Sequence, residues 1–350
     1  MKDRTIYDIS PSQPEVSVIV PVYNVESYIE ECALSLFNQT LESIEYIFID
    51  DASTDSSLKK LNKIIDSFPE RKNQIKIIRH KENKGISFTR QEGVGIATGK
   101  WIIHCDADDI LDYEMYQKLL DFSKIHDADL VFCSYKIFNS SKKYTNHLQG
   151  EGKIEVKEYL SKITGTSKQT LHGALWNKLI KAHLAKKIEF IKNISYCEDV
   201  LYLINLINNN PNLKIYSIPE FLYTYRMRKN SLIEIRGKQR QQDLEILITN
   251  LELTINKIII TDSFIYSLII QFLYRYLETE PDLKYFSIKY KKYKNYIGIN
   301  KRLNKFEQLH LVTALNELFI LSKAIGYLNK KGRKLIKTLK YFVNFKSIFN

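Results

Sequence analysis

The sequence predicts an α/β fold, a mostly parallel sheet flanked by helices, followed by a basic helical extension. Short β-branched runs recur through the first 140 residues, and stretches of helical period separate them. From residue 234 onward the pattern becomes helical and lysine-rich. Strand alternating with helix at this spacing is how parallel sheets are built, because each crossover needs an element to carry the chain back.

Taken in order, strands are expected at Val16–Val22, Ile44–Asp50, Ile75–His80, Trp101–Asp106 and Leu130–Phe138. VSVIVPV and IEYIFID are nearly continuous apolar runs, as strands covered on both faces require, so both belong at the centre. Helices are expected near Glu26–Asn38, Ser56–Phe68, Ile86–Thr98 and Asp112–His126. Residues 139–153 are polar and contain glycine, and read as a loop. A second α/β stretch carries a helix over Val200–Asn209 and strands at Leu213–Ile218 and Phe221–Arg226. The expected organisation is a leader over 1–14, one domain over 15–233 with halves at 15–138 and 154–233, and a basic helical region over 234–350. In such sheets ligands bind beyond the carboxyl ends of the strands, here after Val22, Asp50, His80 and Asp106.

Composition narrows the classes. At 350 residues, 44% hydrophobic and 26% charged, the chain is an ordinary globular one, which excludes collagen-like, disulfide-scaffold and wholly disordered proteins. The net charge of +12 is uneven: Arg236 to Asn350 holds 21 basic and 9 acidic residues, the whole excess. Cys32, Cys105, Cys133 and Cys197 form no CxxC pair, so neither a zinc knuckle nor a disulfide framework is expected, and a reducing cytoplasm suits them. No run of about 18 apolar residues occurs, and the first residues lack a signal-peptide core, so a cytoplasmic protein without a spanning helix is expected.

The chemistry-bearing residues fall at strand ends. The first strand ends in Pro21-Val22-Tyr23-Asn24, and the second runs into Asp50-Asp51-Ala52-Ser53-Thr54-Asp55. Ser53 and Asp55 suit a helix start, whereas Asp51 is a second carboxylate placed where a base or ribose can be bonded. The fourth strand runs into Asp106-Ala107-Asp108-Asp109. Three carboxylates within four residues repel one another, and Mg²⁺ or Mn²⁺ relieves this by taking one or two of them with phosphate oxygens. The alternative is a solvated loop in which Asp109 or Asp112 caps the next helix. Gly93-Val94-Gly95-Ile96-Ala97-Thr98-Gly99 is not a dinucleotide fingerprint, since Thr98 stands where the third glycine belongs and the segment precedes a strand.

These segments, with Asn83-Lys84-Gly85, Arg90 and Ala97-Thr98-Gly99-Lys100-Trp101 between them, come in an order and spacing that resembles glycosyltransferase family 2, nucleotide-sugar-dependent enzymes of the GT-A fold. The resemblance is dense over about 15–135 and looser to about 233. It implies a nucleotide-sugar donor, with uracil the expected base, a Mn²⁺ or Mg²⁺ ion, a saccharide or lipid-linked acceptor, and inverting transfer in surface polysaccharide or lipooligosaccharide synthesis. It also implies roles: Asp51 bonds the base, helped by Pro21, Tyr23 and Arg90, Asp106 contacts the ribose, and Asp108 holds the metal on the diphosphate. Of Glu198-Asp199, at the start of a predicted helix, Asp199 matches the general base; the alternative is a pair of first-turn helix acids. Tyr225 to Ser231 resembles the family's basic segment, in which Arg226 or Arg228 meets the diphosphate, the alternative being a solvated strand end. His172 and Trp176 are candidates for the acceptor pocket, with packing as the alternative for each.

The basic tail sets Leu335, Leu339, Phe342, Phe345 and Phe349 at helical spacing beside Lys331, Arg333, Lys334, Lys337 and Lys340. Such a stripe predicts either an amphipathic helix on an anionic membrane surface or a packed helical subdomain. No reader module accompanies the charge, so no nucleic-acid partner is expected. Two other functions compete: a catalytically inactive nucleotide- or nucleic-acid-binding module on the same fold, and a nucleotidyltransferase, which would release pyrophosphate in place of nucleoside diphosphate.

Overall fold

The structure, a computed structural model, describes residues 13–139, 143–228, 237–254 and 262–331, together with the backbone of 4–6. Two compact units divide the chain, Met1–Ile163 with Leu171–Glu234, and Thr164–Thr170 with Ile235–Asn350.

The first unit holds strands β1 (Arg4–Ile6), β2 (Val16–Val22), β3 (Ile44–Asp50), β4 (Ile75–Arg79), β5 (Trp101–His104), β6 (Ile110–Leu111), β7 (Leu130–Phe138), β8 (Tyr144–His147), β9 (Gly152–Ile154), β10 (Lys178–Lys181) and β11 (Ile215–Arg226). Its helices are α1 (Ile29–Phe37), α2 (Ser57–Asp66), α3 (Ile86–Ile96), α4 (Met115–Ile125), α5 (Val156–Thr164), α6 (Ala182–Ala185) and α7 (Glu198–Asn209). The sheet order is β1-β4-β3-β2-β5-β10-β7-β11-β6. The block β4-β3-β2-β5 is parallel, as the apolar runs require, and β7 and β11 are parallel to each other. Antiparallel strands extend it: β1 on β4, β10 between β5 and β7, β6 on β11, β8 on β7 and β9 on β11. All seven residues of β3 are buried, which explains why its sequence lacks alternation.

Several boundaries differ from expectation for local reasons. Arg4–Ile6, expected in the leader, joins the sheet edge through β4. Residues 139–153, expected as a loop, contain β8 and the start of β9; YTNH is exposed for three of its four residues, so no buried face writes an apolar pattern into it. The two strands expected at Leu213–Ile218 and Phe221–Arg226 are one strand, β11, whose register against β7 shifts between Ile218 and Tyr223. Pro219 lies in that interval and has no N–H to give the ladder.

Close backbone approach accounts for the glycine-rich segment. A Cβ on Gly93 would stand 2.4 Å from Ile19 Cγ2, and one on Gly99 would stand 2.6 Å from Ser17 Oγ. Both glycines therefore let α3 and the turn before β5 lie directly on β2. Beneath them the buried Glu45 accepts from Ser17 Oγ at 2.5 Å and Thr98 N at 2.5 Å and pairs with Lys76 at 2.7 Å. Burial works against its charge, yet these partners outweigh it and hold the carboxyl below its ordinary value.

The second unit holds α8 (Lys238–Thr254), α9 (Asp262–Leu277), α10 (Leu283–Tyr290), a 3₁₀ stretch (Lys291–Ile299), α11 (Lys305–Leu315) and a helix over 319–331. Asn304 starts α11 with a capping box closed by Glu307, worth about 1 kcal/mol. Of the tail residues singled out in the sequence, Arg333, Lys334, Leu335, Lys337, Leu339, Lys340, Phe342, Phe345 and Phe349 lie outside the described residues. Among the described residues no helix is long and apolar enough to cross a membrane.

Candidate active site

Two loops at the carboxyl ends of β2 and β3 are stitched together. Asn24 N donates to Ser53 Oγ at 3.1 Å, Thr54 N to Asn24 Oδ1 at 2.9 Å, Glu26 N to Asp55 Oδ2 at 3.0 Å and Ser56 N to Glu26 Oε2 at 3.0 Å. Asp55 also accepts from Ser57 N at 2.9 Å, but α2 starts after Ser56, so neither Ser53 nor Asp55 is its cap, and Ser53 serves the loop-to-loop contact instead. The chain turns sharply here: Asn24 has φ 49° and Ala52 φ 62°. For an alanine the left-handed region costs roughly 1–2 kcal/mol, which the loop-to-loop bonds offset.

Asp51 N donates to Val22 O at 2.8 Å, which brings Pro21, Tyr23 and Asp51 to one edge. Tyr23 is 47% exposed there. The Asp51 carboxylate is buried and accepts from Lys84 N at 2.8 Å and Gly85 N at 2.9 Å, with His80 Nδ1 at 2.6 Å. Gly85, the residue before α3, has φ 84°, a conformation that a side chain would strain.

Arg90 does not join Asp51. Its buried guanidinium forks between Asp106 Oδ1 at 2.9 Å and Glu198 Oε1 at 2.8 Å, linking the end of β5 to the start of α7. Burial disfavours this charge, but Glu198, Asp106 and Asp199 outweigh it and raise the Arg90 pKa.

The acidic run after β5 divides its work. Asp109 is fully buried and accepts from Tyr223 Oη at 2.6 Å and Arg226 N at 2.7 Å, so it ties β11 to the loop and is not the helix cap. Burial and the charges of Asp108 and Asp106 push its carboxyl well up. Asp106 is also raised, by burial first and by Asp108, against the pull of Arg90. Asp108 pairs with Arg228, which lies over the Tyr28 ring at 5.6 Å, while Arg226 pairs with Glu31 over the same ring at 5.2 Å. Arg228 thus stands at the acidic loop, whereas Arg226 meets it only through its backbone N–H on Asp109 and turns its side chain to Glu31 of α1. Among the described residues no cluster of three or more His, Cys, Asp or Glu is placed to hold an ion. Asp108, whose carboxylate is paired with Arg228, is a single carboxylate that could hold Mg²⁺ or Mn²⁺ only together with a ligand's phosphate oxygens.

Glu198 and Asp199 open α7 from Cys197, whose φ of 58° makes the turn that presents them. Asp199 is half-buried, and burial raises its carboxyl pKa although Arg90, the Val200 N–H and Lys178 pull the other way. The Lys178 ammonium is buried and donates to His172 O at 2.8 Å, Ala174 O at 2.6 Å and Asn177 Oδ1 at 2.8 Å. Burial pushes it down to about 7, against the attraction of Asp199. His172 is half-buried, and its Nδ1 accepts from Ala174 N at 3.1 Å. Trp176 packs: it is 2% exposed and stacks on Tyr223 with ring centroids 4.3 Å apart, so it offers almost no surface to an acceptor.

The residues that reading along the chain missed are those that connect the others. Glu198 as the partner of Arg90 lies 108 positions away, and Tyr223 lies 114 from Asp109. His80 carried one signal, its place at a strand end.

The family model described as Glycosyl transferase family 2 matches residues 17–185, the segment that carries the strand-end carboxylates and their loops. Over that span the chain matches glycosyltransferase family 2. An uncharacterized glycosyltransferase of Bacillus subtilis, EpsJ, is 31% identical over 229 residues, 64% of this chain and 64% of EpsJ's own length. An uncharacterized glycosyltransferase of Haemophilus influenzae is 28% identical over 339 residues, covering 92% of this chain and 98% of that protein. Among solved structures, Staphylococcus aureus TarS 1–349 in complex with UDP-GlcNAc matches with a TM-score of 0.68 at 18% identity, over 91% of this chain and 92% of that one. At that identity the likeness is one of fold.

Proposed function

We propose that this protein transfers a sugar from a nucleotide-sugar, with UDP as the nucleotide, to a hydroxyl of a saccharide or lipid-linked saccharide, with inversion at the anomeric carbon. The observation that carries the reading is the Arg90 fork, which sets Asp106 beside Glu198-Asp199 although they come from separate halves of the sequence. Asp51, between Pro21 and Tyr23, takes the base, and Asp106 takes the ribose. A divalent ion held by Asp108 and the donor's phosphates supplies charge neutralisation for the departing diphosphate. Arg226 and Arg228 give the same oxygens a second set of donors. Asp199 accepts the proton of the attacking hydroxyl; a carboxyl raised by burial is a better base than an ordinary one, and a single base is enough for a direct displacement. His172, whose backbone carbonyl accepts from Lys178, is assigned to the acceptor side. The UDP-GlcNAc carried by TarS, on the same fold, supports the choice of UDP.

An anionic membrane surface is the proposed setting for a lipid-linked acceptor. The helix over 319–331 supports it, with Ile320 89% and Leu328 63% exposed beside Lys323 and Lys331. Sedimentation with anionic vesicles at low salt and release at high salt is the expected behaviour; equal recovery with neutral vesicles would remove this part of the proposal.

Incubation with UDP-sugars and Mn²⁺, followed by separation of the nucleotides, tests the activity. UDP is the expected product. Release of pyrophosphate would mean nucleotidyl transfer.

A further inference from the structure

Glu92, His80 and Asp51 form a chain of three ionisable side chains to which the proposed reaction assigns only one member. His80 Nδ1 lies 2.6 Å from Asp51 Oδ1, and His80 Nε2 lies 2.6 Å from Glu92 Oε2. The side chains are shielded from water, with 3% of His80, 6% of Asp51 and 13% of Glu92 exposed. Besides these carboxylates, His80 meets the Phe88 ring edge-on at 5.6 Å, and Lys84 lies over the same ring at 4.6 Å.

Each N···O contact of this length needs a proton between its atoms. An ionised carboxylate only accepts and a neutral imidazole donates once, so two contacts require one proton more than neutral His80 supplies. That proton does not suit Asp51, whose oxygens already accept from two backbone N–H groups, Lys84 at 2.8 Å and Gly85 at 2.9 Å. Shared within the His80–Glu92 contact, it leaves His80 Nδ1 to donate and Asp51 to accept.

We infer that His80, locked between Asp51 and Glu92, donates from Nδ1 to Asp51 and so is a positioning residue that keeps Asp51 an acceptor-only carboxylate, which selects nucleobases that present an imide N–H. Uracil donates from that position, whereas cytosine has a lone pair there and meets the carboxylate lone pair against lone pair. The inference rests on the reading that Asp51 takes the base, and it adds the device that sets the polarity of that contact.

Calorimetric titration of UDP and CDP into the full chain, its His80→Gln and Glu92→Gln variants and Asp51→Ala tests it, together with the imidazole ¹⁵N shifts of His80 in the unsubstituted protein. Nδ1 of His80 should show the protonated signature. UDP binding should weaken at least about tenfold in His80→Gln and in the same direction in Glu92→Gln, with CDP little changed, so the preference for UDP collapses. In transfer assays the donor KM should rise while kcat at saturating donor stays within about twofold, a split that general destabilisation would not produce. An unprotonated Nδ1, or Gln variants that bind UDP as tightly as the unsubstituted chain, would overturn the inference. Should His80→Gln fail to fold, the ¹⁵N shifts and Glu92→Gln decide. If Asp51→Ala leaves UDP binding intact, the base-contact reading itself has failed; if Asp51→Ala loses binding and the Gln variants keep it, only the role of His80 has.

Discussion

Asp106 is held by Arg90, whose Nη2 lies 2.9 Å from Asp106 Oδ1, and the guanidinium reaches Glu198 with its other terminal nitrogen. A bidentate, buried arginine shared by two carboxylates from separate sequence regions fixes the distance between the end of β5 and the start of α7. The proposed ribose contact and the proposed base are thereby set on one rigid frame.

Replacing Arg90 by Met should unfold the chain readily. It leaves Asp106 and Glu198 without their shared counter-charge, and removing one partner of a buried ion pair costs about 3–5 kcal/mol. Arg90→Lys should fall between, since one ammonium cannot fork as a guanidinium does. Denaturant midpoints of the three proteins check this; equal midpoints would mean the fork is ornamental.

Asp108→Asn should remove the part of nucleotide affinity that EDTA abolishes in the unsubstituted chain and leave the rest. The substitution also frees Arg228 from its ion pair, so binding in EDTA should not weaken. Titrations of UDP with and without Mn²⁺ measure both quantities, and an unchanged Mn²⁺ effect in the variant would move the metal contact elsewhere.

With Asp199→Asn the expectation is the reverse: nucleotide binding persists, while transfer falls by about 10²–10⁴, the usual contribution of a positioned base. Normal turnover in the variant would assign the base to another residue.

Much of the frame of this site was legible in the sequence, for a physical reason. β2 and β3 are buried on both faces, so their apolar runs announce them, and in a parallel sheet the residues just past such runs must share an edge. Asp51, Asp106 and Asp108 were expected at that edge, and the structure places them just past β3 and β5, whereas the roles of Pro21 and Tyr23 rest on the family resemblance. Connections across the fold leave no such trace: nothing in the local sequence around Arg90 or Glu198 says that they touch. Nor could the tryptophan and histidine beside the short strand β10 be sorted in advance. Trp176 packs on Tyr223 and Tyr225, and both outcomes look alike until burial is known. β8 was invisible because it has no buried face to pattern it, and β9 because a strand this short, with only Ile154 buried, is too brief to show a period.

Lys178 makes stability depend on pH. Burial lowers its pKa from 10.5 to about 7 in the folded chain. Between those values the unfolded chain holds more protons, so this group's contribution to stability rises with pH through that window, by up to about 1.4 kcal/mol per unit, and its cost is fully present below the folded value. Lys178→Met should show a flatter profile than the unsubstituted chain when denaturant midpoints are compared between neutral and mildly alkaline pH. Parallel profiles would show that Lys178 stays charged throughout.

The most direct measurement is thermal unfolding of the purified chain with UDP-, GDP-, dTDP- and CMP-sugars, each in Mn²⁺, Mg²⁺ or EDTA. A nucleotide-sugar site at this edge predicts that a UDP-sugar raises the midpoint only when metal is present, with roughly 2.7 kcal/mol gained at about 100 times the dissociation constant. A well-folded sample whose midpoint no donor moves, with or without metal, would contradict it.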